Sequence, residues 1–484
     1  MRIAIVGGGA AAVALLDSLA RLDARPSSVT VFEPSARLWS GRAYGPDLDV
    51  VRVNAPPMIM SIRHGDQEHY ARWLGERAAA HLDERLGAPL APRALYGEYL
   101  HEVATAAMAR LPVDVRHDRV TGLARRDVEL RDRVTGAARR GVELVVRTSG
   151  GHEQAVDRVV LCVGGGTPHD LFGLAGTPGY VADPYPLART LRDVPRDSAV
   201  AVIGSGLTAV DVVVALASAG HAGPITLMSR SGVLPHVWQR PVRHEPQYLT
   251  AARLRDVRTT GDVARLLRAE LEELGEDFDA FAADLLATPV EDPVVRLRRQ
   301  LAAIDAPELG RRIVQQAAHT LGPLAWGVVE DRDRLTGEHH RTAVSVSSPM
   351  VPVNAVQLDR LLERGQLTLL RGLRAVVPGF HITTTDSAAR ADSDPRAESD
   401  LRADFVVNAV NPPPHAVPEA AASLVASLLA QGLATTGSEG GLEVPAGAPL
   451  HVVGDLAAGG TFVTSSIPAV AAQAAATAQA LIDQ

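Results

Sequence analysis

The chain has 484 residues, 46% of them hydrophobic, which is enough for two or three domains with substantial cores. Its 48 basic and 56 acidic residues leave a formal charge of -8, which argues against a nucleic-acid partner, and the complete lack of lysine excludes Schiff-base chemistry and a phosphate-loop lysine. A single cysteine, Cys162, excludes an intramolecular disulfide and a CxxC redox relay; in its apolar run it reads as a small buried hydrophobe.

The first predicted unit is a strand, a glycine loop and a helix. Ile3 to Val6 reads as a buried parallel strand, and Ala14, Leu15, Leu16 and Leu19 fall on one helical face. Between them lies Gly7-Gly8-Gly9-Ala10-Ala11-Ala12. Gly7 permits the tight turn, Gly9 lets the backbone approach a pyrophosphate, and the small Ala12 allows close helix-to-strand packing. The helix N-terminus then offers unpaired N–H groups to the phosphates. The next strand, Val29 to Phe32, ends at Glu33, 24 residues after Gly9, where a carboxylate meets an adenosine ribose.

Further along, Asn54, Ser61 and His64 are candidate reacting residues. Asn54 has two readings: a hydrogen-bonding group for a flavin, or the cap of a turn before Pro56-Pro57. His69 and Trp73, four apart, share a helix face. Arg119 to Asp132 is nearly repeated at Arg133 to Val146, which reads as a duplicated strand and turn in a β-hairpin or meander. Arg158 to Leu161 leads into Cys162-Val163-Gly164-Gly165-Gly166.

The second copy of the strand-loop-helix unit begins at Ala199 to Ile203. Gly204-Ser205-Gly206-Leu207-Thr208-Ala209 is its loop, a helix runs from about Thr208 through Leu216, and Ile225 to Met228 is the next strand, ending in Ser229-Arg230. Arg230 stands 24 residues after Gly206, the offset that Glu33 has from Gly9. An arginine there favours a ribose 2′-phosphate, hence NADPH over NADH. Residues from about 245 to 335 are rich in Leu, Ala, Arg and Glu and read as a helical insertion. The His339-His340 pair and His236 lack the further ligands a metal requires, so no metal site is expected. Asp386 to Asp400 reads as an exposed flexible loop. Leu450 to Val453 is a strand ending in Gly454-Asp455, followed by Gly459-Gly460-Thr461 and an Ala-rich helix from about Ile467 to Ile482. That helix is too weakly hydrophobic to span a bilayer. With the first strand beginning at Ile3, no signal peptide is expected, and a cytoplasmic location follows.

At several of these residues the chain resembles the FAD/NAD(P)-binding flavoprotein monooxygenases, a group that includes FAD-dependent urate hydroxylase and aspartate N-monooxygenase. The matching segments are Gly41-Arg42-Ala43-Tyr44-Gly45, Val53-Asn54-Ala55-Pro56, Met60-Ser61, Arg93 to Leu100, Gly204 to Asp211 and Ser229 to Gly232. Both glycine loops end in Ala, and the Phe-x-Gly-x-x-x-His fingerprint of flavin-containing and Baeyer-Villiger monooxygenases is absent.

The resemblance implies two Rossmann-like α/β domains: a discontinuous FAD domain at 1–165 and 370–484, and an NAD(P) domain at 166–369 that carries the insertion. It implies FAD held by Gly7, Gly9, Ala12, Glu33, Arg42, Asn54, Gly454, Asp455 and Thr461, and NADPH held by Gly204, Ser205, Gly206, Thr208, Ser229 and Arg230. The implied activity is oxygenation of a small nitrogen-containing or heteroaromatic metabolite by O2 through a flavin C4a-hydroperoxide. An oxygen-independent FAD/NAD(P)H dehydrogenase and a non-catalytic nucleotide-bound protein are the alternatives.

Overall fold

The computed structural model describes residues 1–131, 138–337, 339–385, 401–459 and 466–483, with side chains left aside over 127–142. The Thr461 position and the Asp386 to Asp400 stretch lie outside the described residues.

Two five-stranded parallel sheets organise the chain, and they are built to one plan. In the first, the spatial order is Leu450–Val452, Arg158–Leu161, Arg2–Val6, Ser28–Phe32, Val113–Arg116. In the second it is Tyr180–Val181, Phe405–Asn408, Val200–Ile203, Ile225–Met228, Leu367–Leu370. Each central strand carries a glycine loop. The chain moves outward on one side of it, then returns to fill the other side, which creates a topological switch point beside the loop. The inner strands Arg2–Val6, Arg158–Leu161, Val200–Ile203 and Phe405–Asn408 are rich in Val, Ile and Leu, as expected of strands buried on both faces, whereas the edge strand Val113–Arg116 alternates apolar and charged residues.

The expected boundary at 369 needs correction. Phe405–Asn408 pairs with Val200–Ile203 in the second sheet, so that sheet draws on the chain well past 370. Its Phe-Val-Val-Asn run is what completes the second switch point. Only after it does the chain return to the first sheet through Leu450–Val452.

The helix Ala10–Arg21 buries Val13, Leu15, Leu16 and Leu19 against the helix Arg93–Met108 and the C-terminal helix Ile467–Asp483. The C-terminal helix presents Ala471, Ala474 and Ala478, small residues at helical spacing that let it lie close. No helix among the described residues is long and apolar enough to cross a membrane. The near-repeat forms an antiparallel pair, Val120–Arg131 with Ala138–Thr148, extended by Glu153–Val156.

The insertion is helical, and its sequence marks its own boundaries. Thr259 and Asp262 form a reciprocal capping box at Thr260–Glu273; Asp277 caps Phe278–Leu286; Asp292 caps Pro293–Ala302, with Pro293 in the first turn. Leu249, Leu254, Leu271, Ile313 and Val329 form a separate small core under these helices.

One buried ion pair ties the two nucleotide folds together. Arg93, at the start of the helix Arg93–Met108, donates from Nη2 to Asp211 Oδ2 at 2.5 Å; Asp211 lies in the helix Leu207–Ser218 that follows the second glycine loop. Their side chains are 10% and 0% exposed. The Tyr185 hydroxyl also donates to Asp211 Oδ2 at 2.5 Å and accepts from Arg93 Nη1 at 3.0 Å, while Arg93 Nε donates to the Arg52 carbonyl. Burial pushes the Asp211 carboxyl above its ordinary range, with Arg93 pulling against it.

Truncating one member leaves the other charge buried and alone. Asp211→Ala is expected to cost about 3–5 kcal/mol of unfolding free energy, read as a lower urea midpoint. The double variant Arg93→Met, Asp211→Leu should recover most of that loss. A double variant as unstable as the single one would mean that the pair's charge is not what matters there.

Candidate functional site

Both glycine loops leave the carboxyl end of a central strand, and each presses against the strand end across its switch point. A Cβ on Gly7 (φ +103°) would lie 2.3 Å from the Cys162 carbonyl oxygen, and one on Gly204 (φ +123°) would lie 2.8 Å from that of Ala409. Only glycine fits such positions. The loops thus sit on the crossover strands by the same contact in both copies. Cys162 is buried, and burial pushes its thiol up to about 12, so it is an inert packing group.

Around the first loop, four segments distant in sequence converge. Glu33 accepts from the Gly8 N–H at 2.8 Å through Oε2 and from the Ser35 N–H at 2.8 Å through Oε1. Each oxygen keeps a lone pair for a further donor such as a ribose hydroxyl. Ala12 is fully buried in the helix that follows. Gly454 lies over Ala11, its N–H bonded to Gln473 Oε1 at 2.9 Å, and the Asp455 carboxylate stands beside Gly165. Trp39 N–H donates to the Gly8 carbonyl at 2.6 Å, which folds the Trp39 to Gly45 segment over the loop and brings Gly41 against Gly9.

The second loop is more open. A Cβ on Gly206 would meet nothing within 4 Å. Ser205 and Ser229 share a hydrogen bond at 2.9 Å; Ser205 also donates to the Val233 carbonyl, and Ser229 accepts from the Gly232 N–H. Those hydroxyls brace the loop against the next strand end. Thr208 reaches Asn411 across the switch point at 3.1 Å. Arg230 is exposed, and its guanidinium has no hydrogen bond or ion pair among the described residues.

The candidate reacting residues do not assemble as a group. Asn54 is held by its carbonyl, which accepts from Trp238 Nε1 of the second domain at 2.7 Å. Its side-chain Oδ1 is buried with no hydrogen-bond partner, and the short helical turn Pro57–Ile59 has no side-chain cap. The turn-capping reading of Asn54 therefore does not hold.

Ser61 is spent on a local turn, donating to the Asp66 carbonyl at 2.6 Å and accepting from the Arg63 N–H. His64 is exposed, and its carbonyl accepts from Arg21. Arg21 ends the helix that Gly9 begins, so His64 is roughly 18 Å of helix away from the glycine loop. The structure thus places Ser61 in a local turn and His64 beside the far end of the first helix. Arg42 forms a two-pronged pair with Asp183, at 3.0 and 2.5 Å, just past the strand Tyr180–Val181 of the second sheet.

His69 shares its helix with Trp73 and bonds the Tyr99 hydroxyl at 2.8 Å. His236 is fully buried against Ser345 at 2.7 Å. No cluster of metal-binding side chains occurs among the described residues.

Trp238 and the Arg93–Asp211 pair were not legible as site residues. Arg93 and Asp211 do stand in two of the family-like segments, and an aspartate inside the apolar run Ala209 to Leu216 was the available signal.

Two doubly wound sheets, each with a glycine loop at a switch point, define the class: a two-domain Rossmann-like α/β fold with a helical insertion. The family model described as FAD-NAD(P)-binding matches residues 4–166. No curated protein matches the sequence. Among solved structures, the chain is similar to the ornithine N-hydroxylase of Kutzneria sp. 744 (15% identity, TM-score 0.56, 99% of this chain and 98% of that one). It is likewise similar to the ornithine hydroxylase of Pseudomonas aeruginosa (13%, 0.54, 99% of each) and to L-lysine 6-monooxygenase from Pseudomonas syringae (15%, 0.54, 99% and 98%). At such identities the likeness establishes the fold, which is the one expected from the sequence.

The contrast between the glycines is testable. Gly7→Ala should destabilise the protein, since neither the backbone angle nor the Cys162 carbonyl tolerates a side chain. Gly206→Val should leave the melting temperature nearly unchanged while weakening NADPH binding on the order of tenfold or more, measured by titration.

Proposed function

We propose that this chain is an FAD-dependent, NADPH-using monooxygenase of a small nucleophilic, nitrogen-containing or heteroaromatic metabolite. The observation that carries the reading is the Asn54 side-chain oxygen, buried and without a hydrogen-bond partner. Asn54 is anchored through its own main-chain carbonyl to Trp238 of the other domain, so it sits where the two folds meet, with its side-chain oxygen open to accept a hydrogen bond. The similar fold of ornithine and lysine hydroxylases, one of them determined with reduced FAD, NADP+ and L-ornithine, supports it.

The chain's residues divide the work. The first loop and the N-terminus of Ala10–Arg21 receive the FAD pyrophosphate; Glu33 takes the adenosine ribose, and Asp455 the hydroxyls nearer the flavin. The Gly204 loop receives the NADPH pyrophosphate, and Arg230 the 2′-phosphate. Asn54 Oδ1 would accept a hydrogen bond from the flavin edge. Bound FAD supplies the redox and oxygen-transfer chemistry: substrate, O2, NADPH and a proton yield oxygenated substrate, water and NADP+.

Arg230→Ala should weaken NADPH by about 1.5–3 kcal/mol and leave NADH nearly unchanged, as measured by KM for each coenzyme. Equal losses would remove Arg230 from the 2′-phosphate. In Asn54→Ala, FAD should stay bound while a larger share of consumed NADPH appears as hydrogen peroxide. Sustained substrate conversion without oxygen, using another electron acceptor, would replace this reading with a dehydrogenase.

A further inference from the structure

The insertion lines a half-open cavity of about 300 Å³ against the first nucleotide fold. Leu267, Ala318, Pro323 and Trp326 give it apolar walls, and no charged side chain contributes to the lining among the described residues. Three hydroxyls do: Thr260, Ser347 and Ser466. The Thr260 hydroxyl is bonded to Asp331 at 2.7 Å, and that of Ser347 to the Val344 carbonyl of its own helix. Ser466 is 4% exposed and its Oγ has no partner.

The placement is as informative as the chemistry. Ser466 immediately precedes the C-terminal helix that packs on Ala10–Arg21, so the one unspent hydroxyl comes from the first nucleotide fold, and the apolar walls come from the insertion. Directly behind Ala318, His319 stacks on Trp238 with ring centroids 5.9 Å apart, and Trp238 is the residue that holds Asn54. The cavity and the proposed flavin contact therefore share a wall.

A free amino acid carries a carboxylate and an ammonium, and both need countercharges when taken from water. This lining has none. We infer that the cavity binds a neutral, predominantly apolar small molecule that spends a single hydrogen bond on Ser466. It is the substrate class of the proposed oxygenase, and only that word, substrate, rests on the functional reading.

The test uses the FAD-loaded protein and 1-aminoanthracene, a neutral aromatic amine whose fluorescence rises in apolar surroundings. Saturable binding of one probe per chain is expected, undisturbed by excess L-ornithine or L-lysine. Ala318→Phe and Ala325→Phe, which fill the cavity from two different helices, should each weaken it on the order of tenfold or more, with FAD absorbance and melting temperature retained. Ser466→Ala should weaken it several-fold, roughly the loss of one hydrogen bond. Absence of saturable binding, equal affinity in whichever filling variant keeps its FAD, or displacement by either amino acid would overturn the inference. Because the readout needs neither NADPH nor oxygen, a failed oxygenase assay beside positive binding would sink the functional reading alone.

Discussion

A guanidinium from one nucleotide fold and a carboxylate from the other meet out of contact with water, and the arrangement of everything around them depends on that meeting. Arg93 begins the helix packed beneath the first sheet, and Asp211 sits in the helix that rises from the second glycine loop. Neither charge is tolerable where it lies without the other. The pair therefore fixes how far apart and at what angle the two loops stand. Tyr185 and the Arg52 carbonyl complete the hydrogen bonding around the guanidinium, which turns an attraction between charges into a defined geometry.

A second set of contacts works from the same premise with backbone atoms. Asp47 accepts from the Leu187 and Ala188 N–H groups, and Trp238 donates to Asn54. These bonds cross from one fold to the other close to the switch points. Asn54 is held by main chain, which leaves its amide free for other work. Ser205 and Ser229 show the opposite economy, with hydroxyls committed to bracing the loop.

Features written in consecutive residues were legible in the sequence. The two glycine loops, the strand-helix-strand units, Glu33 and Arg230 at matching offsets and the Gly454-Asp455 return all follow from local steric and hydrogen-bonding rules. Pairing across the chain was not. Phe405–Asn408 is a short apolar run, and nothing in its composition reveals which sheet it completes. Ser61 and His64 follow a flavin-like segment and could be nominated by proximity alone. Their actual roles depend on Asp66 and Arg21, partners that only the folded chain selects. Arg42 was claimed by Asp183 for the same reason, since a surface arginine pairs with whatever carboxylate the fold delivers.

The two loops differ in what lies over them. Gly9 faces Gly41 at contact distance beneath the Trp39 to Gly45 segment, while Gly206 looks into empty space. Under the proposed function, a nucleotide at the first loop would leave only if that segment lifted, whereas one at the second loop would come and go with each turnover. The same motif, used twice, would then serve a prosthetic group on one side and an exchangeable reductant on the other, the difference lying in what the neighbouring chain does above it.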